Sequence, residues 1–163
     1  FFAAAGRQPP MAITKVFKFL SDDEYQALLQ KSERKIYKPG DVLIQEGQKQ
    51  TNLYVIVKGE VKVQRNHGDD FVIEISRHGP GEIFGDMSFI EGQAASASVV
   101  AAEEGEVLAF VVNHDHIHEL AKTDPAFSGN FYQSLAEILS RRLRETNNMV
   151  EANQDSDAVW GNP

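Results

Sequence analysis

Between Glu33 and Val112 the chain breaks into short β-rich runs divided by glycine turns, and this pattern restricts its folds more than any other feature. Leu53 to Val57, Val61 to Gln64 and Phe71 to Ile75 read as antiparallel strands, followed by Ala97 to Ala102 and Glu106 to Val112. Pro39-Gly40, Gly47, Lys58-Gly59 and the polar segment from Asn66 to Asp70 punctuate them. Short strands at such spacing close into a sandwich, a roll or a barrel.

Helical periodicity flanks the block. Ser21 with Glu24 three residues on is a capping-box pattern, and Tyr25, Leu28 and Leu29 then share one helical face. Past Val112, Asp115 opens a short helix through Ala121. Asp124-Pro125 starts a longer one on which Phe127, Phe131, Leu135, Ile138, Leu139 and Leu143 recur. Arg141, Arg142 and Arg144 suit the dipole at a helix end and read as solvated. The order is helix, β-roll, two helices. Residues 1–13 read as a linker or cloning remnant, 14–147 as one domain and 148–163 as a disordered acidic tail.

The 163 residues suffice for one domain with a real core. A formal net charge of −8 opposes nucleic-acid binding by this chain alone, since phosphate neutralisation needs a basic face. It does not exclude a small anion in one pocket. With no cysteine, disulfides, thiolate metal sites and cysteine nucleophiles are excluded, which fits a reducing cytoplasm. No apolar run approaches the ~20 residues of a membrane helix. The opening FFAAAGRQPP is too short and too poor in charge for a signal peptide.

Function concentrates between Pro80 and Val100, PGEIFGDMSFIEGQAASASVV. Gly81 and Gly85 on one side of a short apolar turn, and the small run Ala94 to Ser98 on the other, let a backbone approach an anion closely. Yet no Lys, Arg or His stands between Gly85 and Val100. The stretch reads as a phosphate cradle without its cation.

With that order and those motifs, the chain resembles the cyclic-nucleotide-binding domain family, whose members include catabolite activators and protein kinase A regulatory subunits. KPGDVLIQEGQ (38–48), LYVIVKGEVKV (53–63), GPGEIFGDMSFI (79–90) leading to ASASVVA (95–101), and LAEILSRRLRE (135–145) carry the likeness. The resemblance implies a mainly β fold with flanking helices, a double-stranded β-helix or jelly roll closed by a C-terminal helical lid. It implies a regulatory module for a cyclic mononucleotide, cAMP or cGMP, in the cytoplasm. A protein partner or output domain would read its state, and the C-terminal helix is a candidate homodimer seam. The family's cassette has the form F-G-E-Φ-A-Φ-x-x-x-x-P-R-x-A. Phe84 and Gly85 match it, and Asp86 stands for the ribose-binding glutamate. Met87 and Ser88 lie in the turn, Ala94 replaces the proline, Ala95 replaces the arginine, and Ser96 fills the small position beside the phosphate. Ala95 offers no guanidinium fork. At ~1.5–3 kcal/mol for a hydrogen bond to a charged group, its loss implies binding weakened about tenfold to a few hundredfold.

Other readings stand beside this one. Asp86 also suits a plain N-cap of the short turn, and Glu82 is an alternative acceptor that the family resemblance places at the edge of the roll. A roll that has lost its nucleotide would serve protein interaction or assembly. His114, His116 and His118 on a strand would share a face and suggest a cupin-like metalloenzyme. A helix starting at Asp115 instead turns the three rings apart, so no metal is expected. Ser96 and Ser98 have no histidine nearby in sequence, and nothing points to catalysis. A helix-turn-helix regulator would need more chain than follows the last helix.

Overall fold

The computed structural model describes residues 16–68 and 71–159. The expected N-terminal linker, 1–13, lies outside these residues. Helix α1 (Asp22–Lys31) begins at the capping box read from sequence. The Ser21 hydroxyl accepts from the Glu24 amide at 3.2 Å, and the Glu24 carboxylate accepts from the Ser21 amide at 2.7 Å. Eight strands follow: β1 (Glu33–Tyr37), β2 (Val42–Ile44), β3 (Asn52–Lys58), β4 (Val61–Asn66), β5 (Val72–His78), β6 (Ile83–Phe84), β7 (Ser98–Ala101) and β8 (Val107–Asn113). Helix α2 (Asp86–Glu91) sits between β6 and β7, and α3 (His114–Thr123) and α4 (Pro125–Val159) close the chain.

The strands form two four-stranded antiparallel sheets ordered β1-β8-β3-β6 and β2-β7-β4-β5. This is the jelly roll with flanking helices that the resemblance implied. Alternation along β3 explains the layering. Leu53 and Val55 pack toward the helices with Phe17, Leu28, Ile117 and Phe131, whereas Tyr54 and Ile56 point between the sheets with Val61, Val99 and Val107. A strand buried on both faces reads as a continuous apolar run, as LYVIV does. The β3–β4 turn depends on Gly59 at φ +83. A Cβ there would stand 2.4 Å from the Glu106 carbonyl oxygen.

Two sequence expectations change. The N-cap of α3 is Asn113, whose side-chain oxygen accepts from the Asp115 amide at 2.9 Å, so Asp115 lies in the first turn. The disordered tail expected from 148 is instead helical through Val159. No proline follows Pro125 and no glycine follows Gly129 before Val159, so nothing breaks the backbone ladder once α4 has started. Among the described residues no helix is long and apolar enough to cross a membrane.

Glu24 ties α1 to α4. It is 7% exposed and accepts from the Asn130 side chain at 2.9 Å. Burial by itself raises its carboxyl, but the hydrogen bonds from the Ser21 amide, Asn130 and the Ser21 hydroxyl together outweigh it and hold the group below its ordinary 4.5. A depressed carboxylate stabilises fully above its unfolded value, and that contribution is lost as pH falls through the lower folded value. Glu24→Gln is therefore expected to cost about 1 kcal/mol at pH 7. In urea melts at a series of pH values, the gap to the parent should close below pH 4.5.

Candidate functional site

A cavity of about 380 Å³ opens between the inner face of the second sheet, α2 and α4. That volume lies within the range of small-molecule sites. All seven residues singled out from the sequence line it: Phe84, Gly85, Asp86, Met87, Ser88, Ala95 and Ser96. Folding brings the two halves of the cassette to one place. Strand β6 lies against β3, with Tyr54 opposite Phe84 in register and their rings stacked at 4.6 Å. The chain then turns at Gly85, whose φ is +79. A Cβ at that position would fall 2.7 Å from the Asn52 carbonyl oxygen, so only glycine fits the crossing. The opposite half is held by a Lys49–Ala94 bridge and by paired bonds between Ala95 and the 47–48 turn.

Gly85 is the N-cap of α2, which leaves the Asp86 carboxylate free of capping duty. The capping alternative for Asp86 is thereby replaced. Asp86, 8% exposed, receives Arg142 Nη1 from α4 at 3.2 Å. The same guanidinium donates through Nη2 to the Ile83 carbonyl. A carboxylate without such a partner would carry a large desolvation cost at this depth. Arg142 is the only lysine or arginine among the described residues lining the cavity. It was read from sequence as part of a solvated helix end. The missed signal is the helical face Leu139, Arg142, Leu143 and Thr146, spaced i, i+3, i+4 and i+7, all of which line the cavity. Phe131, Leu135 and Ile138 go to the core instead.

Ala95 brings no charge to the cavity wall. Ala95 is buried, and Arg65 approaches only from outside, its Nε donating to the Ser96 carbonyl at 3.0 Å. Two polar residues of the cavity wall escaped the sequence reading. His78 has one ring nitrogen 3.2 Å from the Glu82 carboxylate and the other 3.3 Å from the Ser76 hydroxyl. Burial raises the Glu82 carboxyl, but the Gly79 amide, His78 and the Arg142 charge outweigh it and leave the group lowered. Ser98, read beside Ser96 as a hydroxyl without a base, accepts from the Glu46 amide at 2.9 Å and is structural.

The histidines of the metalloenzyme reading lie on α3, where residues two apart face different ways. Among the described residues no group of three or more histidines, aspartates and glutamates is arranged to hold a metal.

Comparison with known proteins identifies relatives of this fold. A family model described as cyclic nucleotide-binding domain matches residues 34–124. The chain is 33% identical over 130 residues to a cyclic AMP receptor protein of Thermus thermophilus, covering 80% of this chain and 57% of that one. It is 29% identical over 109 residues to human cGMP-dependent protein kinase 2, covering 66% of this chain and 14% of the kinase. The chain thus spans little more than half of the first relative and a small part of the second. A crystal structure of a cyclic nucleotide-binding domain from Methylobacillus flagellatus superposes with a TM-score of 0.77 at 25% identity, covering 87% of this chain and 82% of that one.

The Arg142–Asp86 pair predicts a local effect. Arg142→Ala should cost about 1–3 kcal/mol, because it strands a buried carboxylate. Amide exchange should accelerate in α4 around residues 139–146 while β3 and β8 keep their protection. Unchanged exchange along α4 would show that the pair holds nothing.

Proposed function

We propose that this chain, which belongs to the cyclic nucleotide-binding domain family, is a regulatory sensing module that takes cAMP or cGMP into the cavity under α4. The observation that carries the reading is the Asp86 carboxylate, buried in the cavity wall and held by the lid-helix Arg142. The sugar hydroxyl of a nucleotide donates to Asp86. The phosphate rests against the amides around Gly85 to Ser88 and the Ser96 hydroxyl. Names of relatives support both ligand classes, a cyclic AMP receptor protein on one side and a cGMP-dependent kinase on the other.

Binding is weak in this reading. With Ala95 in place of an arginine, the phosphate keeps backbone and hydroxyl donors but has no permanent charge aimed at it, since Arg142 is spent on Asp86 and Ile83. Ligand arriving at Asp86 shares the carboxylate with Arg142 and so alters how firmly α4 sits. That change is the output signal, in keeping with a family of regulatory and not catalytic domains. The receiver is a protein partner, an output domain or a second copy. Leu143, Met149 and Val150 are exposed on α4 and support a seam there. The charge of −8 supports no nucleic-acid contact through this chain itself.

Calorimetric titration of the parent and Ala95→Arg with cAMP and with cGMP tests the reading. Ala95 lines the cavity, so an arginine there extends toward the phosphate and should tighten binding at least tenfold. Absence of heat from both proteins at millimolar nucleotide would overturn the proposal. It would leave a roll that serves protein interaction or assembly without nucleotide.

A further inference from the structure

Helix α3 turns two of the three histidines toward each other. His114 and His118 are one helical turn apart, and their rings lie 6.0 Å between centroids with planes 24° apart. Two imidazoles sharing one cation at ~2.0–2.1 Å per nitrogen stand about 5 Å apart by centroid, so rotation of the exposed His118 side chain has to turn its ring nitrogen toward that of His114. His116 sits between them in sequence but faces elsewhere. Its Nδ1 is buried and without a hydrogen-bond partner. The His114 ring also packs against Phe89 of α2 at 5.5 Å. Phe89 in turn meets Phe131 of α4 at 6.0 Å.

We propose that His114 and His118 form a two-histidine site for a divalent transition-metal ion of the copper, nickel or zinc class. Neutral imidazole nitrogens are the ligands these ions favour over oxygen. With only two protein ligands, water completes the coordination, and Cu²⁺ binds more tightly than Zn²⁺. Asp115 in the same first turn offsets the positive end of the helix, which by itself opposes a cation. A bound ion fixes the His114 ring against Phe89, so it stiffens the contact between α3 and the helix that lines the ligand cavity. The site is independent of nucleotide binding and stands whether or not that reading holds.

The test uses tag-free, chelator-stripped protein titrated with Cu²⁺ and Zn²⁺ by calorimetry, with Mg²⁺ as the control. One site per chain is expected, Cu²⁺ tighter than Zn²⁺ and Mg²⁺ silent. His118→Ala, at an exposed position, should weaken Cu²⁺ at least tenfold, and His116→Ala should leave it unchanged. Thermal melts give a second readout: saturating Cu²⁺ should raise the parent's midpoint by several degrees and that of His118→Ala by much less. No heat with either transition ion, full affinity in His118→Ala, or an equal loss in His116→Ala would overturn the proposal.

Discussion

Strand β3 has no face left for water, and the architecture follows from that constraint. Leu53 and Val55 need a helical layer on one side, and Tyr54 and Ile56 need a second sheet on the other. The helices and the opposing sheet therefore have fixed places before any site exists. Strand β6 joins β3 at the sheet edge for only two residues, and the chain leaves it through Gly85 so close to the Asn52 carbonyl that no side chain is tolerated. The cassette helix α2 is thus aimed by β3. Phe89, buried on that helix, carries the constraint onward to Phe131 and so to α4.

Charge then decides what the cavity can hold. The cassette supplies a buried carboxylate and no cation, while α4 brings one guanidinium that points at the carboxylate and at a backbone carbonyl. An arginine committed in this way neutralises Asp86 and is not free to neutralise a phosphate. Ala95 and Arg142 therefore have different consequences. Ala95 leaves its side of the cavity uncharged, and Arg142 ties α4 to the cavity floor.

Much of the fold could be read from the chain because local signals agree with the tertiary outcome. The capping box at Ser21 and Glu24 forms as spaced, and the LYVIV and VLAFVV runs become the two central strands. Strand β6 escaped notice because two residues carry no period, and it exists only through pairing with β3. The helical end of α4 was missed for another reason: its residues from Arg144 to Gln154 are exposed, so no apolar stripe announces them. Arg142 reads as a solvated charge because its neighbours in sequence are charged, whereas its neighbours in space are a strand end and a buried aspartate.

By itself the sequence determined the element types, the glycine crossings and the chemistry available in the cassette, because these rest on residue identity and spacing over a few positions. Ala95 is uncharged wherever it folds, and Gly85 alone accepts its turn. Only the tertiary structure decided that Arg142 meets Asp86 across 56 positions of chain, that Ser76 and His78 share a wall with Ser96, and that two of three histidines face each other. Those pairings come from the packing of β3 against α4 and from the turn of α3, and a linear pattern does not encode the side of a partner on which a side chain lands.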